Sequence, residues 1–259
     1  MLTVQDIYDY LDEIMPFSAQ EKWDNSGLIV GDKNAEATGI MTCLDITAAA
    51  VEEAHSLGVQ LIISHHPVIF DPVKTVTSES VVYRLIRYGI SAICCHTNAD
   101  IADCGTNGIA YDMMKDILSL GERTVLDTVC PDGSGIGWIC GCTEISPDEL
   151  AEKLGTIYKG CPIKYTAPDK KIRRLAFCSG SGGSLLEEAA AAECDALITG
   201  DVKHDRFVEA ENRGLALFDC THYGTEIPFA DKTAEYLSEK FHQLAVYSSD
   251  HGKGYIRTL

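Results

Sequence analysis

The sequence predicts an α/β protein built from two related lobes, and three observations predict it. Short, near-continuous apolar runs alternate with helical stretches, the pattern of sheets covered by helices on both faces. The same order of features recurs at an offset of 135 residues, with Cys43 matching Cys178 and Glu52-Glu53-Ala54 matching Glu187-Glu188-Ala189. The chain has 259 residues, enough for one large domain or two small ones with a sizeable core. Three-layer α-β-α packing is therefore expected, with a first repeat over residues 1–125 and a second over residues 126–259.

The elements follow in order. After Thr3 an amphipathic helix carries Ile7, Tyr8, Leu11 and Ile14 on one face. The run Gly27-Leu28-Ile29-Val30-Gly31 leads to a first strand, Gly39 to Leu44, and then to a helix holding Glu52-Glu53-Ala54. A second strand spans Val59 to Ser64, a helix lies around Ser80 to Tyr88, and a third strand runs from Gly89 to Cys94. Turn formers around Gly121-Glu122-Arg123-Thr124 and Pro131-Asp132-Gly133-Ser134-Gly135 mark the boundary. The second repeat opens with Gly137-Trp138-Ile139-Cys140-Gly141, which looks like the earlier glycine-bounded run. Its strands are Leu175 to Cys178, Asp195 to Gly200 and Gly214 to Asp219, with a helix from Arg206 to Asn212 before the third. Pro228 fits only a first helical turn, so a final helix starts near Glu226 and runs to about Phe241. A last strand, Leu244 to Tyr247, follows, and both elements are candidates to pack back on the first lobe.

Composition narrows the function. A net charge of -18 argues against a general nucleic-acid or anionic-membrane binder, which needs a basic face. No apolar run approaches the ~20 residues that span a bilayer, and the acidic N-terminus does not read as a secretory signal. There are eleven cysteines, an odd number, and several (Cys43, Cys94, Cys95, Cys178) sit inside apolar runs as small buried hydrophobes. A reducing, cytoplasmic location is expected from this usage.

Candidate ligands collect where strands end. Ser64-His65-His66-Pro67 places two imidazoles after the second strand, and Pro67 breaks that strand so that neighbouring side chains can turn to one place. Asp100, in His96-Thr97-Asn98-Ala99-Asp100, follows the third strand. His222 and Glu226 follow the equivalent strand of the second repeat, four residues apart, as on one side of a helical turn. Each has an ordinary local alternative: loop histidines, an Asx turn or N-cap at Asp100, and a helix start with Thr225 as N-cap before Glu226. Strand ends of one sheet meet at one edge, so residues far apart in sequence can share a pocket. Together the five predict a divalent-metal site with nitrogen and oxygen ligands, placed between the lobes. Asp201 and His204, at the fourth such exit, are candidate outer-sphere or proton-transfer groups, although Asp201 can also cap the next helix. Gly180-Ser181-Gly182-Gly183-Ser184 reads first as a turn, with a single-phosphate cradle as its alternative.

These segments resemble the NIF-three-like family, described as a dinuclear-metal-centre family and labelled GTP cyclohydrolase 1 type 2 homolog. The matched segments, in order, begin with Trp23-Asp24-Asn25-Ser26-Gly27-Leu28, Gly31-Asp32 and Ser64-His65-His66-Pro67. They continue with His96-Thr97-Asn98-Ala99-Asp100, Thr199-Gly200-Asp201 with His204, and His222 with Thr225-Glu226. The resemblance implies two divalent ions (Zn, Fe, Mn, Ni or Co) held by His65, His66, Asp100, His222 and Glu226. Asp100 and Glu226 would bridge, and His96 and His204 would lie nearby. It further implies a metal-dependent hydrolase acting through an activated water on a nucleotide or related cyclic amide or phosphoester, assembled as a homohexamer. Two departures stand out. Asp205 occupies the position where the family often has a second histidine, and only the short form without an inserted domain fits the spacing from Asp100 to His222. The competing class is a non-catalytic metal-binding regulatory, scaffold or metal-handling protein.

Overall fold

The structure, a computed structural model, describes residues 1–251. The chain divides into two compact units, the first formed by Met1–Ala102 with residues 229–251 and the second by Asp103–Pro228.

The first unit opens with α1 (Val4–Ile14), capped by Thr3 in a capping box with Asp6 and burying Val4, Ile7 and Leu11. The chain continues through β1 (Gly27–Val30), β2 (Gly39–Cys43), α2 (Ala48–Ser56), β3 (Leu61–Ser64), α3 (Val81–Tyr88), β4 (Ser91–Cys94) and the short α4 (Thr97–Ile101). Strands β2, β3 and β4 are parallel neighbours, with Ile40 opposite Leu61 and Ile62 opposite Ala92. Every residue in these three strands is buried, which is why they read as unbroken apolar runs. Met41, Cys43, Ile62 and Ala92 pack on Ala50, Val51 and Ala54 of α2 and on Leu85 of α3. Ser80 caps the start of α3, and Gly89 ends it in the left-handed conformation.

The second unit begins with α5 (Thr106–Leu118), β5 (Thr124–Thr128), β6 (Gly135–Ile145), α6 (Pro147–Ile157), β7 (Lys164–Tyr165) and β8 (Ile172–Phe177). It ends with α7 (Leu186–Ala191), β9 (Ala196–Thr199), α8 (His204–Arg213), β10 (Ala216–Asp219) and α9 (His222–Glu226). Strands β8, β9 and β10 are again parallel neighbours, in a sheet of order β5-β6-β8-β9-β10-β7. Successive residues of β8 enter different cores. Leu175 and Phe177 pack with Ala110, Met114 and Leu118 of α5 and Leu150 and Leu154 of α6, whereas Ala176 packs with Leu186 and Ala189 of α7 and Ala210 of α8.

The chain then returns to the first unit with α10 (Pro228–Lys240) and β11 (Ala245–Ser248). β11 pairs parallel with β2, giving the order β1-β4-β3-β2-β11. The units change at residues 102–103, ahead of the 125–126 boundary drawn from turn formers. The cause is α5, whose apolar face is committed to the core around Trp138. The two similar glycine-bounded runs also take different places. β1 lies antiparallel beside β4, the third strand of its trio, while β6 lies antiparallel beside β8, the first of the other. Among the described residues, no helix is long and apolar enough to cross a membrane.

Candidate metal centre

In the first unit, the main chain after β3 keeps bonding to the end of β2 for two more residues. His65 N donates to Cys43 O and His66 N to Leu44 O. Ser64 Oγ then donates to His66 O at 2.7 Å, folding the chain over before Pro67. The two rings thereby come to one place, with centroids 5.0 Å apart. His65 is fully buried, and its Nδ1 lies 2.8 Å from Cys95 O. A carbonyl only accepts, so Nδ1 carries a proton. Nε2 is 3.7 Å from Asp100 Oδ1, close to the ~3.4 Å between two atoms bound at about 2.1 Å to one tetrahedral ion. His66 Nδ1 is 2.9 Å from Asp45 Oδ1.

His96 joins this group. Its ligand atom and those of His65 and His66 lie within 4.8 Å of one another. Asp24 holds it there, since His96 Nδ1 donates to Asp24 Oδ1 at 2.8 Å, and Thr97 N and Oγ1 donate to Oδ2 at 3.0 and 2.5 Å. Burial acts to raise the Asp24 carboxyl, but the hydrogen bonds from His96 and Thr97 outweigh it and keep the group well below the usual carboxylate range. Asp100 sits inside α4, so it is not the N-cap its local sequence allowed.

The second unit carries the other donors. His222 and Glu226 are the first and last residues of α9, with His222 Nε2 2.9 Å from Glu226 Oε2. His222 Nδ1 is 2.9 Å from Asp201 Oδ2. Thr221, not Thr225, caps this helix, accepting from Gly224 N at 2.9 Å. Two residues here hold costly backbone angles: Asp201 at φ 51° and Thr221 at φ 65°, ψ 149°. Non-glycine residues in such conformations cost about 1–3 kcal/mol each and gather at functional sites. Two glycines make room. A Cβ on Gly200 would stand 2.5 Å from His222 N, and one on Gly180 would stand 2.2 Å from Glu226 Oε1.

Asp201 therefore orients His222, and it is Lys203 that occupies the N-cap position of α8. His204 is exposed in the first turn of α8 and belongs to none of the candidate metal clusters among the described residues. Two backbone donors of the glycine-rich segment after β8 are already used within the fold. Gly180 N is spent on Thr225 Oγ1 and Gly182 N on Thr199 Oγ1, and α7 is only six residues long. Asp24 and Asp45 were missed as partners. Asp45 lies two residues past the end of β2, so the strand-exit rule that located His65 would have located it too.

The donor chemistry suits a divalent ion. His65, His66, His96 and His222 each have Nδ1 tied to a carbonyl or carboxylate, which fixes the orientation of the ring. Imidazole with carboxylate suits zinc, iron, manganese, nickel or cobalt.

Comparison with known proteins agrees in family and fold. The sequence profile described as Duf34/NIF3 (NGG1p interacting factor 3) matches residues 2–253. The GTP cyclohydrolase 1 type 2 of Helicobacter pylori (strain J99) is 34% identical over 242 residues, 92% of each chain. The GTP cyclohydrolase 1 type 2 homolog of Streptomyces coelicolor is 32% identical over 250 residues, 92% of this chain and 87% of that one. The crystal structure of a Staphylococcus aureus hypothetical protein superimposes with a TM-score of 0.90 at 24% identity, over 99% of both chains.

Proposed function

The chain belongs to the Duf34/NIF3 family, and from that premise we propose that it is a dinuclear divalent-metal hydrolase acting on a nucleotide or a related cyclic amide or phosphoester. The observation that carries this is the anchoring of Nδ1 in His65, His66 and His222 by a carbonyl or carboxylate, the outer partner that metal-binding imidazoles typically have. Under the proposal, His65, His66, Asp100, His222 and Glu226 would hold the ions. The lobes themselves would descend from one duplicated three-layer unit. Five side chains for two ions leave positions open to water and substrate, unlike a closed structural site. When bound, the ions supply Lewis acidity to a substrate oxygen and lower the pKa of a water towards about 7.

The chain's own groups then handle protons and position. His96, with Nδ1–H held by Asp24, offers Nε2 as a proton acceptor in a fixed orientation. Asp45 and Asp201 keep His66 and His222 from rotating. A cleft of about 400 Å³ starts at His66 and Asp45 and is walled by Ile46, Val68, Val73 and Val82. That volume is within the range of small-molecule sites. The names of the relatives point to a guanine nucleotide as the substrate. A cytoplasmic homohexamer is part of the same proposal.

Two measurements test it. Elemental analysis of protein purified without added metal should find two divalent ions per chain, and none after His66→Ala and Glu226→Ala are combined. Metal-loaded protein should hydrolyse a member of a nucleotide and phosphoester panel, with turnover abolished in folded His66→Ala. Metal without turnover across the panel would favour a metal-handling or regulatory protein. No metal uptake at all would overturn the proposal.

A further inference from the structure

Within Trp23-Asp24-Asn25-Ser26, three residues have an identifiable polar task. Asp24 holds His96 and Thr97. Asn25 Nδ2 donates to Ile69 O at 2.7 Å, tying the loop after Pro67 to this segment. Ser26 Oγ accepts from His96 N at 3.1 Å and donates to Asp24 Oδ2 at 3.0 Å. Trp23 is left over. Its side chain is 60% exposed, although a tryptophan is normally well buried. Phe70, on the loop that Asn25 fastens, is 51% exposed.

The two rings are not scattered surface residues. Their centroids are 5.9 Å apart, and each meets the ring of His96, Trp23 at 6.1 Å and Phe70 at 6.3 Å. His96 in turn lies 5.2 Å from the His65 ring and 5.6 Å from that of His66. An exposed aromatic surface thus runs without a break into the candidate metal ligands. The polar bonds of Asp24 and Asn25 tie down the segments that carry the two rings. An aromatic surface already assembled in this way offers a planar π-system dispersion and stacking at reduced ordering cost. Bases stack on such side chains whatever their hydrogen-bonding edge.

We propose that Trp23 and Phe70 form a stacking site for the planar heteroaromatic ring of a small-molecule ligand, holding that ring beside His96 while its polar part reaches the metal ligands. The assignment rests on the metal-site reading for what lies next to the ring, but it is tested separately. The protein has two tryptophans, and the other, Trp138, is 1% exposed, so ligand-dependent quenching of intrinsic fluorescence reports Trp23. Guanosine 5′-monophosphate and ribose 5-phosphate are the probes; they share a phosphate and differ in the ring.

The nucleotide should quench saturably and ribose 5-phosphate should not. By calorimetry, Trp23→Ala and Phe70→Ala should each weaken nucleotide binding about 5- to 100-fold. Neither should change ribose 5-phosphate binding, and Trp23→Phe should restore most of the affinity. Equal binding of the two probes, or unchanged nucleotide affinity in both alanine variants, overturns the proposal. So does protection of Trp23 from acrylamide in the assembled protein, which would show a second copy covering the ring. Metal content measured on the same samples separates the two ideas. Metal retained without ring-dependent binding sinks the stacking site alone, and absence of metal from the wild type sinks the metal reading.

Discussion

Replacing Gly180 by alanine should damage metal binding more than stability. Gly180 follows β8 with φ 63°, and an added Cβ would lie 2.2 Å from Glu226 Oε1, 3.3 Å from its Cδ and 3.5 Å from His222 Nε2. The Glu226 side chain is 4% exposed and is held 2.9 Å from His222 Nε2, so it must leave its position. The left-handed backbone alone costs alanine about 1–2 kcal/mol. Gly214→Ala isolates that cost, because Gly214 has φ 66° and nothing within 4 Å of an added Cβ. Disturbing the support of a ligand typically costs about 10–100-fold in metal affinity. Urea unfolding should therefore show similar losses for the two variants, somewhat larger for Gly180→Ala. Chelator-competition titration should show weaker metal binding for Gly180→Ala only. A Gly180→Ala protein that binds metal with wild-type affinity and stoichiometry would refute the reasoning, by showing that the observed position of Glu226 is not the binding one.

Three further outcomes are expected. Asp45→Ala and Asp201→Ala, which release the Nδ1 atoms of His66 and His222, should each lower metal affinity about 10–100-fold in the same titration, with the number of sites unchanged. Thr221→Ala loses the cap but keeps the strain, whereas Thr221→Gly relieves the strain, so the glycine variant should be the more stable by about 1–2 kcal/mol on denaturant unfolding. At Asp195, burial acts to raise the carboxyl, but the Lys170 side chain and the backbone N–H groups of Arg173 and Arg174 outweigh it and hold the group below its ordinary value. A depressed folded pKa adds stability above the unfolded value of about 4 that fades as pH falls through the folded one, so wild type should exceed Asp195→Asn by about 1–2 kcal/mol at pH 7 and converge with it in acid.

The parallel trios were legible because burial on both faces writes itself into composition: Leu61-Ile62-Ile63 and Ala196-Leu197-Ile198 are apolar throughout, and all six residues are buried. Helix ends were legible where caps are local, as at Thr3, Ser80 and Gly89. The ligand-type residues were legible for the related reason that a strand exit is a local event marked by polar residues and Pro67. What surrounds them was not. Asp24 meets His96 from 72 positions away and Asp201 meets His222 from 21, so loops and packing select the partner and no spacing rule names it. Thr225 and Thr221 are both N-cap types in sequence, but the Thr225 hydroxyl is taken up by Gly180 N and His222 O, while Thr221 accepts from Gly224 N.

The sequence by itself determined the α/β class, the strands that lie at the centre of each sheet, and the types of donor at their ends, because periodicity, burial and capping act over a few residues. Tertiary structure alone decided that α5 leaves the first unit early, that β11 returns to pair with β2, that β1 and β6 border different strands, and that a carbonyl and three aspartates set the four imidazoles. Those choices depend on which distant surfaces bury most apolar area and satisfy most backbone groups together, a property of the whole packed unit and of no short segment within it.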